Sequence, residues 1–472
     1  MTTVDEQETG IARHGEPRYE AATQVFNLAA PAAPAAAATV RTVGQIRAAI
    51  AYAVAENLRV RVHTTGHGSA TAGPMEDALL LRTLLPGGVD IDPRARVARV
   101  PAGTCWGEVV EAAAPYGLAA PHGSSPLVGV AGYVLRGGVS LYGRHTGLAA
   151  NSVRAIELVT ADGELRRADA SSDPELLWAL RGGGGGFGVV TAVEIDLFAA
   201  ERVVTGAAYW PAAHAHRLLP LWLRWTRDAP RKVTTTLRVM NLPSLPEIPE
   251  PLRAGTVLCV DGVVLGEADD PAAAGRLAED LLGPLRAVAE PVFDTWQEAT
   301  PREVVRTHMD PTEPFPIFGD HMLLGDLPEE AIAEFLALVG EGSGSPLTNA
   351  ELRQLGGALA VPDGEGGALD RLDARFAYIG GGVPFGGLTP DILVGHCARV
   401  RAALGRWDTG LTAPSFVENV TQPQRHLSQE KVAAVDRVRA RLDPSGRFRG
   451  DIAPNASAGQ RAPGSPGNAS AG

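Results

Sequence analysis

The sequence predicts an α+β protein of two domains, and three observations carry that reading. At 472 residues the chain exceeds the ~100–200 residues of a usual domain, and with 45% hydrophobic residues it can fill more than one core. Its 55 glycines and 36 prolines, many of them in runs, point to loop-rich sheets rather than a helical bundle. Short strand-like segments alternate with helices up to about residue 198; beyond it come longer helices, proline-rich connectors and Trp210, Trp222, Trp225 and Trp296. The expected boundaries are 1–200 for the first domain, 201–405 for the second, a return of 406–452 to the first, and a disordered tail over 453–472.

Each element has a local cause. Residues 29–38, AAPAAPAAAA, read as a low-complexity connector. Val43, Ile46, Ile50, Val54 and Leu58 recur at helical spacing behind Thr42, a capping residue. RVRV (59–62) alternates apolar and charged residues as a strand does, and LLLRTL (79–84), VDID (89–92) and VARVPAG (97–103) read as further short strands. Thr104 is the expected cap of a helix over 106–117 that Gly117 ends. IELVTADGELRRAD (156–169) is a hairpin turning at Asp-Gly. Asp173-Pro174 opens the helix ELLWAL, which runs into the glycine-rich stretch and strand of 181–198. FVENV (416–420) and a charged helix near 427–442 bring the chain back.

The composition removes whole classes of function. A formal charge of −12 argues against nucleic acid or an anionic membrane as partner. No run of about 20 uncharged apolar residues marks a membrane span. The first ten residues, MTTVDEQETG, are acidic where a secretion signal is basic and then apolar. Cys105, Cys259 and Cys397 are too far apart for a disulfide framework or a zinc knuckle. The expectation is a soluble cytoplasmic protein, monomer or homodimer.

Among motifs, His63 and His67 stand four apart, but Thr64, Thr65 and Gly66 between them make a poor helix and no third metal ligand follows; no metal is expected. A nucleophile elbow is missing. The glycines of 182–188 follow a helix and precede a strand, the reverse of the order that aims a helix at a dinucleotide. What remains is three glycine-rich loops, at 64–68, 123–138 and 182–188. Bare loops let backbone N–H groups close on a large anionic ligand without basic side chains.

These loops carry a resemblance. V-R-V-H-T-T-G-H-G (60–68), V-P-A-G (100–103), G-L-A-A-P-H-G-S-S-P-L-V-G-V-A-G (117–132) and G-G…G-R-H-T-G-L-A-A-N-S-V (137–153) are followed by D-P-E-L-L-W-A-L-R-G-G-G-G-G-F-G-V-V-T (173–191) and L-D-P-S-G-R-F (442–448). Together they resemble the FAD-linked oxidases of the vanillyl-alcohol-oxidase superfamily, specifically the berberine-bridge-enzyme-like group. The resemblance implies a PCMH-type FAD-binding fold with a separate α+β substrate domain, a mixed or antiparallel sheet covered by helices. It implies FAD as cofactor, attached through the residue matching His67, with the backbone of Thr64, Thr65, Gly66 and Gly68 cradling the pyrophosphate. Gly129, Gly132, Gly137 and Gly138 would leave room for ribose and isoalloxazine, and Val190 would lie near the adenine. Gly123, Ser124, Ser125, Val128, Gly147, Val153, Gly188 and Asn419 complete the implied cofactor set.

The departures from that pattern are also informative. Ser125 stands where many relatives place a second attaching cysteine, so no second link forms there. Arg136 and Ser140 interrupt the glycine run, and Gly186 replaces a common Asn. Arg136 reads either as a phosphate contact or as the mark of a weakened site. FVENV retains an Asn of the flavin-side strand, in shifted register.

The resemblance implies hydride transfer from a small organic substrate, an alcohol, phenol, amine or sugar of bacterial secondary metabolism. A protein base assists, and O2 is reduced to H2O2. Candidate bases are Tyr378, His308 with Asp310, Glu418 and Tyr142. Two other classes stay open: a drug-binding or resistance protein that reoxidises a reduced natural product, and a non-redox cyclase or binder on the same scaffold.

Overall fold

A computed structural model describes residues 10–450 apart from 247, 268, 271 and 420–424; the tail expected over 453–472 lies outside the described residues. Strands β1 (Ala36–Val40), β2 (Arg59–His63) and β3 (Ala78–Thr83) form a parallel sheet in the order β1-β3-β2. Parallel strands need a crossover, and the helix Val43–Ala55 supplies it. Thr42 caps that helix by accepting from the Gln45 N–H, and Ile46, Ala49, Ile50 and Ala53 bury one face against the sheet. The connector expected over 29–38 is corrected here: Ala36, Ala37 and Ala38 are fully buried sheet residues.

A second, antiparallel sheet follows, built from β4 (Asp90–Asp92), β5 (Val97–Pro101), β7 (Val153–Val159), β8 (Leu165–Asp169) and β9 (Val189–Asp196) in the order β4-β5-β9-β7-β8. The short β6 (Leu118–Ala119) pairs with β10 (Phe198–Ala199). The helix before β6 ends earlier than expected, at Ala113, and its cap is Cys105, not Thr104. Glu108 turns back to the Cys105 N–H and completes a capping box. A tight turn containing Pro115 then delivers the chain to Gly117, at φ 64°.

The third sheet has eight antiparallel strands. Seven run in the order β14 (Phe293–Asp294), β11 (Val203–Pro211), β13 (Val257–Leu265), β12 (Val233–Met240), β17 (Asn349–Gln354), β18 (Phe376–Gly382) and β16 (Phe318–Leu324). β15 (Gln297–Ala299) also pairs with β11. Helices Ala215–Asp228, Ala273–Arg286, Glu329–Val339 and Pro390–Leu404 share one core with a face of this sheet; Trp222, Leu281, Phe335 and Val400 meet Leu237, Val260, Leu352 and Tyr378 there. Because side chains alternate along a strand, the neighbours of those core residues point the other way. On that second face stand Arg238, Asp261, Glu351 and Arg353, opposite the glycine-rich loops of the first two sheets.

The chain then returns. The helix Gln429–Leu442 packs on the second sheet, Arg439 donates to the carbonyls of Gly183 and Gly185, and the Val60 N–H donates to the Arg447 carbonyl at 2.8 Å. Among the described residues, no helix is long and apolar enough to cross a membrane.

Arg144 ties the two halves together. It is buried, and its guanidinium donates to the carbonyls of Val233 and Ala229 at 2.7 Å and to that of Leu355. Arg144→Met keeps the bulk and leaves three carbonyls without this donor, at about 1–3 kcal/mol for each group left unsatisfied. We expect the apparent Tm to fall by at least about 3 °C; an unchanged Tm would show that Arg144 does not hold the halves together.

Candidate functional site

A cavity of about 820 Å³ lies between the glycine-rich loops and the polar face of the eight-stranded sheet. The loop after β2 carries one wall. Gly66 stands at φ 73°, and a Cβ there would lie 2.6 Å from Val25 Cα, so only glycine lets the loop press against the 25–28 segment. That segment reaches both sides: Phe26 donates its N–H to the Thr65 carbonyl, and the Phe315 N–H donates to the Phe26 carbonyl.

His67 is held by this arrangement. Its ring stacks on Phe26 with centroids 4.0 Å apart, and its Nδ1 lies 2.7 Å from Thr65 Oγ1. Its Nε2 is buried with no hydrogen-bond partner among the described residues, and the residue lines the cavity. Burial pushes its pKa down to about 4 against the opposing pull of Asp310, so the imidazole is neutral near pH 7. A neutral ring nitrogen without a partner, beside a bare loop, suits the expected group: FAD would be held by Thr64 to Gly68, by Gly123 to Gly132, and by Gly188 and Val190. Ser125 lines this wall, and no cysteine lines the cavity among the described residues. Arg136 also lines it and donates to Thr71 Oγ1 at 2.7 Å and to the Gly68 carbonyl. Ser140 instead turns inward, accepting from the Tyr142 N–H.

The opposite wall is a buried ionic network. Arg238 pairs with Asp261 at 2.7 Å, and Arg353 with Glu351 at 2.7 Å. His308 sits between them, Nδ1 3.0 Å from Asp261 and Nε2 3.2 Å from Glu351, with Asp310 at 3.9 Å. Burial and the Arg238 charge lower the His308 pKa, but the three carboxylates outweigh them and raise it to about 9. Asp310 in turn accepts from Ser124 Oγ at 2.6 Å, which joins this wall to the glycine-rich one. Glu418 is half-buried at the cavity edge and accepts from Asn27 Nδ2 at 3.2 Å. Burial raises its pKa to about 7 against the Asn27 hydrogen bond and the Arg136 charge.

The structure brings together most of the residues singled out in the sequence. Thr64, Thr65, Gly66, His67, Gly68, Gly123, Ser124, Ser125, Val128, Gly129, Gly132, Gly188 and Val190 line the cavity, as do His308, Asp310 and Glu418. Others are corrected. Tyr378 points into the helix-covered core of the third sheet, because the register pairs it with Met322 and Leu352 on that face. Tyr142 is buried in a separate apolar cluster with Val203, Val263 and Val304. Gly137 and Gly138 serve the turn after the helix Val130–Leu135, at φ 84° and 70°, packed on Leu369 and Tyr133. Gly147 ends a single helical turn, and Val153 begins β7 inside the core. Asn419 does not line the cavity; its neighbour Glu418 does. Arg238, Asp261, Glu351 and Arg353 were missed, although a charge inside an otherwise apolar strand such as VLCVDGVVL was a readable signal.

Comparison with known proteins agrees with this geometry. Residues 34–169 match the family model of the FAD binding domain. The chain is 34% identical over 178 residues to (R)-6-hydroxynicotine oxidase of Paenarthrobacter nicotinovorans, covering 38% of this chain and 39% of that protein. It is 35% identical over 183 residues to xylooligosaccharide oxidase of Thermothelomyces thermophilus, covering 38% and 37%. These matches thus span about two fifths of each curated relative's length. Among solved structures, BBE-like 1 of Physcomitrella patens superposes with a TM-score of 0.78 at 18% identity, over 96% of this chain and 99% of that one. The 6-hydroxy-D-nicotine oxidase of Arthrobacter nicotinovorans gives 0.77 at 23%, over 93% and 96%. Residues 34–169 thus carry an FAD binding domain, and the chain as a whole shares the fold of the BBE-like structures. Its α+β architecture is the two-domain fold of those structures.

The network makes stability depend on pH. The His308 pKa is about 9 in the fold against an ordinary 6.5, so its stabilisation is complete below about pH 6.5 and lost as pH rises through 9. We expect the gap in apparent Tm between wild type and His308→Gln to be widest at pH 6 and to narrow by pH 9.5. A gap independent of pH would mean that His308 is not held protonated.

Proposed function

We propose that the protein is an FAD-dependent oxidase of a small organic substrate, with the cofactor attached through His67. The observation that carries this reading is one cavity with two unlike walls, a glycine-rich wall holding an unpartnered neutral His67 and a polar wall able to move a proton. Bound FAD supplies acceptance of a hydride and passes the electrons to O2 as H2O2. The chain's own residues do the rest. The Arg238–Asp261–His308–Glu351–Arg353 network orients the substrate's polar end, since its groups are fixed by ion pairs before any ligand arrives.

Glu418 is the residue we assign as proton acceptor. It lines the cavity, Asn27 fixes its orientation, and burial has moved its pKa to about 7, where a base works best near neutrality. Glu351 is less suited to that part, because Arg353 and His308 engage its two oxygens. The relatives' names include oxidases of a hydroxynicotine and of xylooligosaccharides, which supports oxidation at a carbon bearing a polar group without choosing between them.

Two experiments test this. Acid-precipitated wild type should keep its yellow colour in the pellet, and His67→Ala should release it or bind none; colour released from wild type would overturn the covalent link, and a colourless protein that refuses FAD the whole reading. With any substrate found by peroxide release, kcat should rise with pH through about 7. Glu418→Gln should lower kcat by about 100-fold or more and remove that limb; an unaltered kcat would take the proton acceptor's role from Glu418.

A further inference from the structure

One dipeptide of the 25–28 segment serves both His67 and Glu418. Phe26 and Asn27 line the cavity, and Asn27 pairs with Phe315 in an isolated parallel bridge, where successive side chains point opposite ways. Phe26 lies on the His67 ring, 13° between the planes, with the Phe315 ring edge-on to it at 5.8 Å. Its backbone is held on both sides, by the Thr65 carbonyl and the Phe315 N–H. The imidazole therefore keeps one plane, with Nδ1 toward Thr65 and the unpartnered Nε2 buried. Asn27 is 2% exposed, and its amide uses both donors and both acceptor sites. Oδ1 accepts from the N–H groups of Ala29 and Ile317 at 3.0 and 3.1 Å. Nδ2 donates to the Ile317 carbonyl and to Glu418 Oε2, each at 3.2 Å. An amide turned over would set oxygen against that carbonyl and nitrogen against the Ile317 N–H, so Asn27 is locked with a donor facing Glu418.

We propose that Phe26 and Asn27 are paired positioning residues, one setting the plane of the His67 ring and the other presenting a fixed N–H to Glu418. The inference rests on the oxidase reading above and adds two residues that act through His67 and Glu418. A ring held in one plane keeps its nitrogen aimed, where a freely turning one would have to be ordered at each encounter. An N–H fixed toward a carboxyl stabilises the ionised form, so Asn27 works against the burial that favours the acid. Arg136, from the glycine run, is the charged side chain that acts on Glu418 in the same sense. The β16 residue packed against Glu418 is Gly319, which brings no charge. The two roles are separable in the chain, since each side chain touches a different target.

The test reads both targets on the protein as purified, without turnover. The infrared C=O stretch of a protonated carboxyl that persists to neutral pH reports Glu418, and Glu418→Gln should abolish it. Asn27→Asp keeps the acceptor for both N–H groups and replaces the donor by a second carboxyl. The midpoint at which the band disappears should then rise from about 7 by about one pH unit or more. Asn27→Ala, which removes the amide altogether, should move it the same way. A role confined to packing gives the opposite sign, because a loosened segment admits water and returns the carboxyl toward its ordinary acidity. A midpoint that falls or stays in Asn27→Asp therefore overturns the proposal. Phe26→Leu keeps apolar bulk without the stacked ring: flavin retained in the acid pellet should fall at least about twofold while the carboxyl midpoint is unmoved. Undiminished retention also overturns the proposal. No such band in wild type, or one that survives Glu418→Gln, takes the proton acceptor's role from Glu418 and the proposal with it. If Glu418→Gln removes the band and Asn27→Asp leaves its midpoint unmoved, the oxidase reading stands and this inference alone fails.

Discussion

The structure depends on the burial of opposite charges along one face of an antiparallel sheet. Asp261 and Glu351 are each only 1% exposed, and isolated carboxylates so placed would be prohibitively costly. They are tolerated because Arg238 and Arg353 meet them at 2.7 Å and His308 spans the gap between the two pairs. Removing any one member strands its partners, so the five side chains constrain the register of β12, β13 and β17 together. The other face of the same strands carries Leu237, Val260 and Leu352 into the helix-covered core. A shift of one residue would exchange the two faces, sending charges into that core and leucines into the cavity.

That rigid wall matters only if the glycine-rich wall is held in the same frame, and separate ties do this. The 25–28 segment hydrogen-bonds to Thr65 on one side and Phe315 on the other, while Asn27 reaches Glu418 and the Ile317 backbone. Ser124 donates to Asp310 across the cavity, and Arg144 anchors the far edge of the first half to β12 and to Leu355, just past β17. Two halves that could otherwise move as independent bodies thus enclose one cavity, with His67 and the ionic network both in its lining.

Much of the glycine-rich wall was legible in the sequence, because a loop that must approach a large ligand needs glycine at particular positions. Thr64 to Gly68 and Gly123 to Gly132 announce themselves in this way. The helix behind Thr42 and the Asp-Gly hairpin were legible for local reasons, a cap and a turn type. The polar wall was harder to read. Its members come from β12, β13, β17 and the 308–310 turn, and only strand pairing brings them together. Tyr378 shows the cost of reading residue type without register: an aromatic hydroxyl in a strand looks like a base, yet parity assigns it to the core. Gly137 and Gly138 show the same for glycine, since a positive φ in a turn and a close approach to a ligand leave the same mark.

Asn419 and Arg136 repay a joint reading. The sequence pattern placed an asparagine beside the cofactor, and the structure puts the carboxyl of Glu418 on the cavity surface instead. A bare carboxylate at a half-buried edge would be pushed to its neutral form by desolvation. Arg136, the large cation in the glycine run, opposes that push on Glu418, as does the hydrogen bond from Asn27. Arg136 is itself held in place by Thr71 and the Gly68 carbonyl, so its charge stays fixed near the cavity. The two departures therefore act on one another: the arginine that interrupts the glycine run helps keep an acidic group near neutrality rather than fully protonated. Read singly, each looks like damage to a cofactor site; taken together, they describe a cavity edge whose one acidic group has its protonation set by its neighbours.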